Sequence, residues 1–176
     1  HGPLSSRAVL MLAAGLAEAL ASIHRVGLVH RDLKPSNVLI DDTGPHIIDF
    51  GVALATDATR MTANLVMGTP SYMAPERING EEGGPAADMF SLGATLVFAA
   101  TGRTLVSDDT VYAQVMQIVT GIFDLSAVPP EMRPLIVRCL SQRPKDRPTA
   151  EELARILKAE GYVEGFTVEH DPERPS

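Results

Sequence analysis

Apolar and polar positions follow one another in two rhythms along this chain, and the places where the rhythm changes divide it into elements. Residues 7–22 run Arg7, then an Ala/Leu-rich stretch through Leu16, Glu18 and Leu20. Ser5 or Ser6 stands where a capping hydroxyl is wanted, and Ile23-His24-Arg25-Val26-Gly27 ends the stretch with basic residues and a glycine, so the pattern predicts one core helix. The period then shortens. Pro35 stops any helical reading, and the β-branched residues of 38–40 and 46–48 predict two short strands around the turn Asp41-Asp42-Thr43-Gly44. Residues 52–66 are polar, Thr-rich and aperiodic; unstructured stretches beyond about 12–15 residues are uncommon unless functional, so this one is a candidate switch.

Helical spacing returns at 85–101, where Phe90, Leu92, Leu96, Val97 and Phe98 leave the segment apolar nearly all round, as the buried axis of a domain would be. Three more helices are predicted, roughly at 108–120, 131–141 and 149–160. Pro129-Pro130 separates the first two, and Glu151-Glu152 gives the last an acidic first turn. Residues 161–176 read as a tail or the start of a linker. The fold class expected is mainly α with a small β hairpin.

At 176 residues and 45% hydrophobic, the chain can bury one sizeable core. A net charge of −7 with scattered Arg and Lys argues against a nucleic-acid face, which needs a basic stripe. Cys139, the single cysteine, sits in an apolar run and reads as a small buried hydrophobe, consistent with a reducing cytoplasm. Residues 7–22 also resemble a signal peptide with an Ala-x-Ala site, but they contain Glu18, fall short of the ~20 apolar residues of a membrane span and run without a linker into the next segment. The core-helix reading is preferred, with no membrane contact in this segment. The chain starts at His1 rather than Met, and it is read as a piece of a longer protein.

The chemistry concentrates between residues 28 and 51. Asp32, Asn37 and Asp49 are oxygen ligands or proton acceptors spaced by five and then twelve residues, and a hairpin base can aim all three at one point. Hard oxygen ligands suit Mg²⁺, which is held by one or two protein groups together with substrate phosphates, so the spacing points to phosphate chemistry. No histidine cluster with ligand spacing accompanies the acids, which disfavours a metal-dependent hydrolase. Paired Asp41 and Asp42 read as turn residues, not ligands.

His30-Arg31-Asp32 with Asn37, Asp49-Phe50-Gly51, and Gly68-Thr69-Pro70-Ser71-Tyr72-Met73-Ala74-Pro75-Glu76 come in the order of three protein kinase motifs. Over roughly residues 4–160 the chain resembles the helical C-terminal lobe of bacterial-type serine/threonine protein kinases. No Gly-rich phosphate loop and no strand lysine of the Val-Ala-Ile-Lys type occurs, so the N-terminal lobe is absent and residues 1–160 would be a C-lobe portion. The resemblance implies ATP and Mg²⁺ as cofactors, with Asp32 as the base for a protein Ser/Thr hydroxyl. Lys34 would neutralise charge on the γ-phosphoryl, and Asn37 and Asp49 would hold the metal. His30, Phe50 and Gly51 would be structural, Asp88 would bond the backbone of the catalytic loop, and Arg147 would pair with Glu76.

It further implies an activation-loop switch in which Arg31 receives phosphate on Thr62, with Thr59 or Thr56 as alternatives, and a kinase dimer for autophosphorylation. The partners would be protein substrates and ATP, and the place the cytoplasm, with any membrane anchor outside this segment. Two other readings stay open: a pseudokinase or truncated interaction module, against which Asp32, Lys34, Asn37 and Asp49 are intact, and a kinase-like small-molecule phosphotransferase, which would lack the 68–76 segment.

Overall fold

The computed structural model describes residues 2–49, 70–107 and 110–162. Helix α1 (Ser6–Arg25) begins where Ser5 Oγ accepts from the Ala8 amide at 3.3 Å. It ends as Gly27 takes φ 78° and the amides of Gly27 and Leu28 return to the carbonyls of His24 and Ile23. Glycine suits this reversal because a left-handed backbone costs it nothing. By length and composition α1 could cross a membrane; two-thirds of its apolar window is buried inside the fold.

A 3-10 turn, Pro35–Asn37, comes next, where the sequence pattern predicts no helix at all. Three residues carry no period, and a proline in first position already has the φ the turn requires. Strands β1 (Val38–Asp41) and β2 (Gly44–Ile47) pair antiparallel with Val38 opposite Ile47 and Asp41 opposite Gly44. Asp41 Oδ1 closes the turn by accepting from the Thr43 amide at 2.7 Å and its hydroxyl at 2.6 Å. These bonds hold the Asp41 carboxyl down at about 2, so the acid serves the turn.

Beyond a second 3-10 turn (Pro70–Tyr72) come α2 (Pro75–Ile78) and α3 (Pro85–Thr101). α3 is the central helix: Phe90, Leu92, Ala94 and Leu96 are fully buried, with α1 on one side and α5 (Arg133–Cys139) on another. Phe98 departs from the expected burial, being 36% exposed near the last turn. Gly93 allows the close approach of α5, since a Cβ there would lie 2.8 Å from that of Cys139.

Helix α4 (Val111–Thr120) starts three residues later than the pattern suggests, because Thr110 takes the capping position. α5 is shorter than the predicted 131–141: Pro134 lacks the amide an earlier start would use, and Met132 becomes the cap. A third 3-10 turn (Pro144–Asp146) leads to α6 (Ala150–Ala159), which Thr149 caps and which packs along α1.

Candidate active site

Gly27 turns the chain off α1 into the loop of residues 28–34, and one carboxylate from α3 holds the backbone of that loop. Asp88 is fully buried. Its Oδ2 accepts from the His30 amide and its Oδ1 from the Arg31 amide, each at 2.8 Å, and His24 Nε2 reaches Oδ2 at 2.8 Å. Arg31 has φ 67°, a left-handed conformation that costs a non-glycine residue of order 1–3 kcal/mol. The two carboxylate bonds, and a bond from Arg77 Nη1 to the Arg31 carbonyl, overdetermine that conformation. His30 is buried; its Nδ1 accepts from the Asp32 amide at 3.3 Å, which places the ring proton on Nε2, 3.4 Å from the Ile48 carbonyl.

Asp32 stands on this platform, half-buried, beside the buried Leu33. Asn37 Nδ2 donates to the Asp32 carbonyl at 2.7 Å and to its Oδ2 at 3.2 Å, while Lys34 Nζ lies 3.0 Å from the same Oδ2. Among the described residues nothing donates to Oδ1. That oxygen is left to accept a proton. Asn37 bonds to Asp32 through Nδ2 alone, so among the described residues its Oδ1 keeps its lone pairs, on a group without charge.

Asp49 comes into register through the strand end: the Ile48 amide donates to the Asn37 carbonyl at 2.9 Å. Asp49 itself is exposed with φ 54°, the second left-handed non-glycine residue, and its carboxylate has no partner among the described residues. Asn37 Oδ1 and the Asp49 carboxylate are thus two hard oxygens without donors among the described residues, a set that fits Mg²⁺. Phe50, Gly51, Thr56, Thr59 and Thr62 lie outside the described residues. Arg31 directs Nη2 toward exposed Glu82, 3.9 Å away.

The segment that closes at Glu76 is tied to the helical base by Arg147. Nη1 donates to Glu76 Oε1 at 2.6 Å and Nη2 to Oε2 at 2.8 Å, a two-pronged contact between buried side chains. The guanidinium also donates to the carbonyls of Ser141, Ala86 and Gln142 and sits 5.2 Å above the Phe90 ring centre. Cys139 is fully buried, and burial pushes its thiol up to about 12, which leaves it inert.

Two residues in this arrangement carry no mark in the sequence. His24 looks like one more basic residue at a helix end, and Arg77 like a surface arginine; Arg77 is buried, and His24 reaches across 64 residues to Asp88.

The protein kinase domain family matches residues 1–156. Serine/threonine-protein kinase AfsK of Streptomyces coelicolor is 47% identical over 158 residues, which cover 89% of this chain and 20% of AfsK. Serine/threonine-protein kinase PknK of Mycobacterium tuberculosis is 37% identical over 180 residues, covering 98% of the chain and 16% of PknK. The chain therefore spans between about 16% and 40% of the length of such curated relatives. Among solved structures, Rad53 1-466 in complex with AMP-PNP superposes with a TM-score of 0.73 at 29% identity, over 88% of this chain and 40% of that one.

Proposed function

Because the chain belongs to the protein kinase domain family, we propose that its 28–49 segment is the catalytic loop of a serine/threonine kinase that transfers the γ-phosphoryl group of ATP to protein hydroxyls. The observation that carries this reading is the division of labour at Asp32. Its Oδ2 is held by Asn37 and Lys34, and its Oδ1 faces no donor among the described residues, so the carboxylate is oriented and still able to take a proton. In this reading Oδ1 accepts the proton of a substrate Ser or Thr hydroxyl as that oxygen attacks. Lys34 leaves its contact with Asp32 to meet the negative charge of the transferred group, for which an ammonium is a compact counter-charge. Asn37 and Asp49 would hold Mg²⁺, which would supply neutralisation of phosphate charge. Asp88 keeps the backbone at His30 and Arg31 fixed, so the loop that carries Asp32 does not have to be ordered at the moment of reaction.

The test is Asp32→Asn in the full-length protein, with transfer of labelled phosphate to a protein substrate as readout. The expected loss is on the order of 10²–10⁴-fold with unchanged circular dichroism. An undiminished rate would refute Asp32 as base. These 176 residues contain no Gly-rich phosphate loop and no strand lysine for the nucleotide. By themselves they are expected to show no turnover and weak Mg·ATP binding, and tight binding by calorimetry would contradict that.

A further inference from the structure

A cavity of about 410 Å³ shares no lining residue with the groups around Asp32, and its size falls in the range of small-molecule sites. The last turn of α1 contributes Ala21, His24 and Arg25, the start of α3 contributes Met89, and the approach to α6 contributes Lys145 and Glu151. Most of the lining is apolar, made of alanine, methionine and proline side chains, and the buried Arg147 that completes it is already paired with Glu76.

Its charge is unevenly distributed. Arg25 and Lys145 are exposed and lie outside every ion pair among the described residues. Thr149 caps the Glu152 amide, which leaves the Ala150 and Glu151 amides at the start of α6 without intrahelical acceptors. Glu151 is the only carboxylate in the lining among the described residues. Arg147 is balanced by Glu76, so two cations without an ion pair and a helix start outweigh one acid; the rim favours an anion and the apolar lining an apolar body.

His24 forms a wall of this cavity, and its Nε2 is bonded to the same Asp88 oxygen that holds the His30 amide. Asp88 is wholly buried, out of reach of bulk water that could take up a displaced bond. Packed interiors pass small displacements on instead of absorbing them.

We propose that this cavity is a regulatory site for a small organic anion, an apolar ring or chain bearing one carboxylate, and that its occupant acts on the 30–31 backbone through His24 and Asp88. The regulatory meaning rests on the kinase reading given above; the binding and the mechanical link do not.

The test uses the full-length protein with naphthoate as probe, the uncharged naphthamide as control, and amide hydrogen exchange as second readout. Naphthoate should bind saturably with a dissociation constant on the order of 1 mM, as expected for a ligand of its size at ordinary efficiency. Arg25→Glu and Lys145→Glu, both on exposed side chains, should each weaken it about threefold to fivefold, and naphthamide should bind less well than naphthoate. Exchange of the 30–31 amides should change on binding, and His24→Phe should abolish that change while naphthoate still binds. Absence of saturable binding, or binding indifferent to both charge reversals, overturns the site. Binding that leaves the 30–31 amides unaltered overturns the link to the loop. Exchange needs no turnover, so failure of the kinase reading would appear separately, as an inactive protein with an intact exchange response.

Discussion

Removing the Glu76 carboxylate is the sharpest test of how the segment ending there is held. Glu76→Ala would leave the Arg147 guanidinium in place with its side chain fully enclosed and without its counter-charge. Breaking a buried pair by deleting one partner costs about 3–5 kcal/mol, because the stranded charge cannot be rehydrated. The three carbonyl bonds to Ser141, Ala86 and Gln142 and the Phe90 ring soften that cost, so about 3 kcal/mol is expected. Arg147→Met should cost at least as much: it strands the carboxylate and also takes the donor from two carbonyls bonded at 2.8 Å, each worth about 1–3 kcal/mol if left unsatisfied. The double variant should be less destabilised than the sum of the two, since neither charge is then stranded. The chain contains no tryptophan, so urea unfolding is best followed by far-ultraviolet circular dichroism. A Glu76→Ala cost below about 1 kcal/mol, the range of exposed pairs, would refute the argument from burial.

At Gly93, helix propensity favours alanine by about 1 kcal/mol, but the new methyl would meet Cys139 Cβ at 2.8 Å and Leu140 at 3.1 Å. Overpacking of about 1–3 kcal/mol should win, so Gly93→Ala should lower the urea midpoint, and a raised midpoint would show that α5 does not approach this closely. Alkaline pH should also destabilise the fold. Burial raises the Cys139 thiol from 9.0 to about 12 and the Tyr72 hydroxyl from 10.0 to about 12, so the unfolded chain loses these protons first. Their contribution is fully present below about pH 9 and is lost as pH climbs toward 12. Unfolding midpoints compared at about pH 8 and pH 10.5 should show the fall, and Cys139→Ala should reduce it; an equal fall in that variant would remove Cys139 from the account.

The long helices were legible because burial leaves a periodic trace. In α1 and α3 the apolar positions recur over several turns, and Ser5 and Gly27 mark where the α1 pattern stops. Shorter pieces left no such trace: the 3-10 turns at Pro35, Pro70 and Pro144 are each three residues long, and α5 lost its predicted start to Pro134. At the candidate site, Asp32 and Asn37 sit five apart in one loop, close enough for local spacing to suggest their contact. The pairing of Glu76 with Arg147, 71 residues apart, could be expected only from motif resemblance, since no local pattern links them. His24 and Arg77 were missed for the same reason, with no motif to compensate.

The packing of α6 along α1 has a bearing on how the chain is made. α1 leaves the ribosome with a surface apolar enough for a membrane span, well before the helix that covers much of it, which begins only at Ala150. At a synthesis rate of roughly 5–20 residues per second, α1 waits on the order of ten seconds for that cover. During that interval it is the segment a chaperone or a targeting factor would meet, and a nascent chain interrupted before Ala150 would keep it exposed. Release from such a factor is therefore timed by α6, not by the segment that carries Asp32.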